Sequence, residues 1–478
     1  MRHTSRPIAF ALALCSGIAI CYVLAYGSIT AKAPGESNIA SATGTGSPAP
    51  PEPQPTPVEL IRFGPIDNLA GFTNTTTVTL RRTPEASAPV IVTLNTPEHV
   101  AVKILDATRD FIRIKVTAPT VSEDDGEMLA EYEGWTDWGT VIPDMTAIVL
   151  DADTGAVVSR VPLTPGETSV AYSPDGARAL FYRTENYEDS ILGYEVTTTD
   201  YALARCVLTS EAQLIRPVFY SPVDGALAAF GGTPVGGKGH LSLMRLSDFY
   251  TFDMPTKISV PATGLTVSPD GRTGFIFHPQ DEERTERTVD VVDLQSLEIR
   301  NTISLGGERS STRDRVVVSR DGSEIYLERP DTDSVAVLDT LTGQQLREFS
   351  KKFAHSGWLY YTQGSVVGDS LFVKYSNEGD DEIHDRPHAA WLSATGHVAA
   401  DPEIESVIEA GGSGFAVNAE GTFLFRLDQK HHISERLPIE RPDLRQNQDA
   451  MYGLIIQGFS ASPDGKHIIV FIGVYDGC

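Results

Sequence analysis

The sequence predicts an all-β chain whose main body is a seven-bladed β-propeller, and two observations carry that prediction. The first is a recurring phrase. Ser-Pro-Asp-Gly stands at Ser173-Pro174-Asp175-Gly176, Ser268-Pro269-Asp270-Gly271 and Ser462-Pro463-Asp464-Gly465. Degenerate copies are Ser221-Pro222-Val223-Asp224-Gly225, Ser319-Arg320-Asp321-Gly322 and Asn418-Ala419-Glu420-Gly421, and Gly368-Asp369 is a seventh, weaker candidate. From Gly176 through Gly225, Gly271, Gly322, Gly368 and Gly421 to Gly465 the steps are 49, 46, 51, 46, 53 and 44 residues. A period in this range means stacked supersecondary units. The second observation is what flanks the phrase: short β-branched and aromatic runs that read as strands.

One unit reads as two hairpins. Leu265-Thr266-Val267 and Gly274-Phe275-Ile276-Phe277 bracket the Gly271 turn, and Val316-Val317-Val318 and Ile325-Tyr326-Leu327 bracket Gly322. Pro presets the second turn position and Gly takes the left-handed closing one, so each pair is a hairpin. A second hairpin follows in the better units, as in Val335-Ala336-Val337-Leu338-Asp339 leading through Thr342-Gly343 to Gln345-Leu346-Arg347-Glu348-Phe349. Four antiparallel strands in under about fifty residues make a propeller blade. The short turn Asp residues are expected to cap amides, and Asp290, Asp293 and Asp339 to brace second hairpins.

On these turns, and on the Val-Leu-Asp-Xaa-Xaa-Thr-Gly hairpin, residues 145–478 resemble the WD-repeat and YVTN-type propeller families. The Trp-Asp dipeptide of WD repeats is absent, which favours the YVTN-like side. The resemblance implies a fold and says little about activity, because propellers host many functions.

The two ends of the repeat complement each other. The last full turn, at Gly465, is followed by one strand, residues 467–472, and the chain then stops. The first full turn, at Gly176, is preceded by an orphan second hairpin, residues 147–161. Seven inner and seven outer hairpins balance if the orphan completes the final blade, so a composite closing blade is expected. Such closure removes exposed sheet edges. The sixth unit is the weak one, with no clear second hairpin near residues 431–439.

Upstream segments carry different signals. Arg2, His3 and Arg6 precede an apolar run from Ile8 to Gly27, long enough to span a membrane as a helix. Residues 1–27 are therefore expected to be an uncleaved signal anchor, with cleavage or lipidation as alternatives. The basic flank stays in the cytoplasm, which places the bulk outside it. Residues 28–58, rich in Pro, Ser and Gly, read as a tether, stiffest near Pro48 to Pro57. A net charge of −26 argues against non-specific nucleic-acid binding.

Residues 72–143 read as a small β module. Its runs are 78–81, 90–94, 100–105 and 111–116, closed by Gly134-Trp135-Thr136. With Leu80-Arg81-Arg82-Thr83-Pro84 as the opening, the module resembles the bacterial SH3 (SH3b) family, a small β-barrel. The opening departs from the family at Thr83, and an acidic insertion at 117–133 splits the last strands. The resemblance implies a cell-wall peptide or glycan ligand, or packing against a neighbour. Trp135 and Trp138 could line such a groove, or one of them could be core.

Loops on a rigid scaffold are where binding usually resides. The long links lie at 183–190, 231–240, 279–288, 306–314, 376–388 and 436–451, and strand order places them on one face. Candidate binding residues there are Glu185, Asp189, Glu282, Arg284, Arg313, Asp381, His384 and His388. The 380–388 loop has two His and several carboxylates, but Pro387 breaks the helix a metal pair would need, so an acidic solvated loop is favoured. His431-His432 is a weaker pair beside the weakest unit. Beyond the anchor only Cys206 and Cys478 remain, and outside the cytoplasm a disulfide could join them.

No nucleophile elbow, His-Glu-x-x-His or phosphate loop is present, and no cofactor is expected. The expected role is a binding or scaffold protein anchored in the inner membrane of a bacterial envelope, facing the periplasm or exterior. Its expected partner is an envelope protein or peptidoglycan and related glycans. The alternative is an enzyme or enzyme subunit resembling the propeller lactonases or the non-catalytic subunit of quinone-dependent amine dehydrogenases.

Overall fold

The recurring phrase folds as a hairpin turn held by its own side chains. At Ser173 the hydroxyl accepts the Arg178 amide at 2.9 Å and donates to Asp175 at 2.6 Å, while Asp175 accepts the Ala177 amide at 3.0 Å. Gly176 closes the turn at φ 69°, where any side chain would be strained. Ser319 with Asp321 and Ser462 with Asp464 repeat the arrangement.

In the computed structural model the described residues are 61–64, 69–96, 99–120, 128–166, 169–182, 191–209, 214–220, 222, 227–235, 238–245, 251–253, 259–260, 264–268, 271–278, 286–296, 298–305, 316–319, 321–329, 334–350, 359–360, 366–375, 388–440 and 452–476. The chain divides into two units, Met1–Thr56 and Pro57–Cys478. The first lies outside the described residues, as do the expected anchor and tether. Among the described residues helix is confined to one turn, Trp138–Thr140, and no helix is long and apolar enough to cross a membrane.

The protein is an all-β propeller. Six blades are built from contiguous stretches of chain. Blade one contains Ser169–Tyr172, Arg178–Tyr182, Ile191–Thr197 and Leu203–Thr209; blade two Leu214–Tyr220, Leu227–Val235, Lys238–Arg245 and Thr251–Asp253. Blade three runs from Gly264–Val267 through Thr273–His278 and Thr288–Asp293 to Glu298–Ser304; blade four from Val316–Val318 through Glu324–Arg329 and Ser334–Asp339 to Gln345–Ser350. Blade five has Ser370–Tyr375, His388–Ser393 and Gly396–Ala399, with Leu359–Tyr360 and Val366–Val367 both pairing its Ser370–Tyr375 strand. Blade six has Ser406–Ala410, Ser413–Val417, Phe423–Leu427 and Ile433–Pro438.

A further four-stranded sheet is composite. Tyr452–Ala461 and His467–Asp476, from the C-terminal end, pair with Met145–Asp151 and Val157–Leu163. The join runs antiparallel from His467 opposite Asp151 to Gly473 opposite Met145, as the orphan hairpin requires. It leaves neither terminal hairpin with a bare inner edge.

Sandwiching explains the strand patterns. Thr273–His278 is buried at every position, because a neighbouring blade covers each face, whereas the outer Glu298–Ser304 strand alternates. Shared apolar clusters join blades three and four, four and five, five and six, and six and the composite sheet. Another joins the composite sheet to blade one, where Phe181 meets Phe471 edge-on at 5.8 Å. Tyr220 links blades one and two: its hydroxyl donates to buried Glu195 at 3.0 Å and its ring lies under Arg178.

The module is a seven-stranded antiparallel sheet ordered Val90–Asn95, Thr77–Arg81, Met128–Asp137, Phe111–Thr120, Ala101–Ala107, Leu69–Thr73, Val141–Pro143. Its core is continuous with that of blade one and the composite sheet. Arg160, on the composite sheet's last strand, is only 8% exposed; it donates to the Arg109 carbonyl at 3.1 Å and pairs with Glu440 at 3.3 Å. A short strand ahead of the module, Ile61–Gly64, pairs with Leu203–Thr209 and adds a fifth strand to the outer edge of blade one.

Two sequence expectations need correction. The Asn418–Gly421 phrase does not close an inner hairpin: it joins the second and third strands of blade six, and the inner hairpin turns at Gly411-Gly412 instead. The missing second hairpin is Phe423–Leu427 with Ile433–Pro438. Asn418 can serve here because its side-chain carbonyl accepts both the Thr422 and Phe423 amides at 2.9 Å, a local contact indifferent to strand position. The link at 231–240 is mostly strand, since Leu227–Val235 and Lys238–Arg245 pair up to Val235 opposite Lys238.

Replacing Phe471, fully buried at the closure, with Ala should lower stability by about 3–5 kcal/mol, read as a shifted denaturant midpoint. Turn carboxylates should set the acid limit. Hydroxyl donors hold Asp151, Asp175, Asp200 and Asp339 below the ordinary 3.8. Their stabilisation is therefore complete above that value and lost as pH falls through the lowered native values. Thermal midpoints should drop in that window, and Asp339→Asn should flatten the drop.

Candidate functional site

The outer hairpin of a blade turns on an Asp and closes on a left-handed residue. Asp151 accepts the Thr154 amide, Asp339 that of Thr342, and Asp428 those of Lys430 and His432. The left-handed residue is Gly155, Gly343, Tyr201 or His431, with φ of 70°, 69°, 54° and 64°. An L side chain costs about 1–2 kcal/mol in this conformation, so Tyr201 and His431 need a compensating contact.

In each case the position faces the preceding sheet. Gly343 lies beside Ile303 and Asn301 of blade three, and Gly155 against Leu437 of blade six. Tyr201 meets His467 of the composite sheet edge-on at 5.4 Å, and His431 stacks on Trp391 of blade five at 4.2 Å and 16°.

The two aromatic contacts differ in completeness. Tyr201 is 1% exposed, its hydroxyl lies 3.3 Å from His467 Nδ1, and burial pushes its phenol up to about 12. The His431–Trp391 stack is unfinished. Trp391 is 4% exposed, yet among the described residues neither its indole Nε1 nor His431 Nδ1 has a hydrogen-bond partner. Buried indole N–H groups normally find one. Burial also lowers the His431 pKa, which keeps the ring neutral near pH 7.

Beside this stack lies a cleft of about 330 Å³ between the outer strands of blades five and six. Lys430, His432 and Arg436 bring basic groups to it, and Asp401 is an acidic member. Two of these are already engaged: Arg436 forks onto Glu403 at 2.7 and 3.0 Å, and Asp401 accepts the Glu403 amide. The Lys430 ammonium makes no ion pair among the described residues. The arrangement can present positive charge and unsatisfied nitrogens to a small molecule.

The sequence-predicted residues fall elsewhere. Glu185, Asp189, Glu282, Arg284, Arg313, Asp381, His384 and Cys478 lie outside the described residues, as does any bond from Cys478 to Cys206. His388 begins its strand exposed and stacks on Tyr375. Trp138 is 5% exposed and donates its indole N–H to the Thr108 carbonyl at 2.8 Å, so it is core and lines no open groove. Trp135 is half-buried. Asp290 braces its hairpin as expected, accepting from Thr302, and also holds the buried His278 Nε2 at 2.8 Å. Sequence reasoning missed Trp391, Lys430 and Arg436 and undervalued His431. The available signal was Asp428-Gln429-Lys430-His431, an Asp-led turn one residue shorter than the Asp-Xaa-Xaa-Thr-Gly turns that close on Gly155 and Gly343.

No protein-family profile matches the chain, and no curated protein matches it. Solved structures do. Hydrazine synthase from Kuenenia stuttgartiensis aligns at 15% identity and TM-score 0.37, over 66% of this chain and 96% of that one. A protein assigned as TolB from Agrobacterium tumefaciens aligns at 14% and 0.36, over 70% and 98%. One assigned as a 6-phosphogluconolactonase from Bacteroides uniformis aligns at 14% and 0.35, over 62% and 98%. The propeller fold rests on the strand topology itself.

Proposed function

We propose that the chain is a membrane-anchored binding or scaffold protein of the bacterial cell envelope, with the residues beyond Ile61 facing the periplasm or exterior. In this reading the composite sheet is the seventh blade of a closed ring, and the sheet from Leu69 to Pro143 is an SH3b-like module docked on it. The continuous chain of apolar clusters from blade three through the composite sheet to blade one supports the ring. The shared core and the Arg160 clamp support a packed module more than a free one.

The observation that carries a binding role is the cleft between blades five and six. It combines a strained His431 with two buried nitrogens and a Lys430 that have no partner among the described residues, on a framework of paired strands. Strain and missing hydrogen bonds persist where the surrounding structure holds them, and they cluster at ligand sites. The basic flank at Arg2, His3 and Arg6 ahead of the Ile8–Gly27 run supports the orientation. The partner class that fits is an envelope protein or glycan.

Two measurements on the full chain in its native membranes test the reading. The protein should sediment with membranes and be cut by protease added from outside the cytoplasm. Photocrosslinking from the cleft rim at Val398 should then capture a reproducible envelope component. A soluble cytoplasmic protein, or crosslinks no different from those of a surface position far away, overturns it.

A second reading, a propeller enzyme, rests on the buried His278–Asp290–Thr302 chain, in which His278 Nδ1 has no hydrogen-bond partner among the described residues. A carboxylate that orients one imidazole nitrogen and leaves the other vacant is the geometry of a general base. If it holds, lactone hydrolysis should be measurable and should fall about a hundredfold or more in His278→Gln.

A further inference from the structure

The cleft between blades five and six has a definable ligand chemistry, and the argument rests on the binding reading above. The whole chain carries a net charge of −26, so its average field repels anions. The cleft departs from that average. Of its charged lining groups, Arg436 is balanced by Glu403, and Asp401 is turned to the Glu403 amide. Lys430 is left with no ion pair among the described residues, and His432 beside it faces Asp428 at 3.5 Å. Lys430 lines the cleft and is exposed, so its ammonium can meet an oxyanion entering from solvent.

Size and polarity narrow the class. A cleft of about 330 Å³ lies at the small end of ligand sites, which suits a molecule of monosaccharide size. Among the described residues the Trp391 indole N–H has no acceptor and His431 Nδ1 has no partner, and both atoms are covered, so a small shift of the stack would let a hydroxyl-bearing molecule satisfy them. Val398 and Ile433 add an apolar wall. The comparison with Tyr201 marks the gap as particular to the blade-six turn. The same turn position on blade one is closed by a hydrogen-bonded aromatic contact, whereas on blade six it is left open.

We infer that this cleft is a binding site for a monosaccharide-sized anion, a sugar unit bearing a carboxylate or a phosphate, with Lys430 as the charge anchor and the His431–Trp391 stack as the polar floor.

Calorimetric titration of the full-length chain with glucuronate, glucose 6-phosphate and glucose tests it. At least one anionic sugar should bind, and glucose should bind at least about tenfold more weakly, a difference of about 1.4 kcal/mol. The anion that binds identifies the source, carboxylate or phosphate. Lys430→Ala should weaken that binding about tenfold or more without moving the unfolding midpoint. His431→Gly is the second variant, because glycine is the residue this turn uses at Gly155 and Gly343. It should keep or raise the midpoint and lose the ligand. Binding of neither anion, equal binding of glucose, or unaltered affinity in both variants overturns the inference. So does a lowered midpoint with unchanged affinity in His431→Gly, which would make His431 a packing residue. Envelope capture by the wild-type chain is read separately. Capture that persists when neither sugar binds leaves the binding role standing and removes only this site.

Discussion

The pairing of His467–Asp476 with Met145–Asp151 is the constraint on which the rest of the propeller depends. Segments more than three hundred residues apart meet there by backbone hydrogen bonds and make one sheet from the two ends of the propeller. The side chains confirm the register. Phe471 and Ile469 enter one apolar cluster with blade one, while Ile468 and Val470, on the opposite face, enter another with blade six. A one-residue slip would exchange the two sets and unpack both interfaces.

That closure also explains where the module sits. The chain enters at Ile61–Gly64 along the outer edge of blade one, folds the seven-stranded sheet, and continues into the composite sheet at Met145. The module is thus held at both chain ends by the two sheets that flank the closure. Arg160 spans the same region, joining the Arg109 carbonyl of the module to Glu440 beyond blade six. Removing so buried a guanidinium would leave its carbonyl partners without donors. The module is therefore part of the architecture of the closure as well as a neighbour of it.

The candidate site follows from a repeated element used unequally. The outer turns of blades one, four and six and of the composite sheet each hold a residue in the left-handed region that looks across at the preceding sheet. Glycine there lets the neighbour approach, as Leu437 does at Gly155. An aromatic residue there must reach across and find something to pack on. Tyr201 finds His467 and a closed polar contact, whereas His431 finds Trp391 and leaves nitrogens unpartnered beside a cleft. A repeat fold can vary one such position without disturbing its neighbours, because each unit meets only the next.

Much of this fold was legible from residues 145–478, because turn chemistry is local. Ser, Asp and Gly at fixed offsets satisfy their own backbone, so the phrase reports a turn wherever it stands. For the same reason it could not report which turn: Asn418–Gly421 closes the second connection of blade six and reads in sequence like the first. The orphan hairpin was also legible, since an unpaired edge demands a partner. What the sequence alone determined is therefore most of the propeller strands, most of their turns and the need for closure. Tertiary structure decided the Ile61–Gly64 pairing, the burial of Trp138, and the meeting of Trp391, Lys430 and His431 across two sheets. Those depend on side chains approaching through space between units, and no periodicity along one strand encodes which face of a neighbour it will meet.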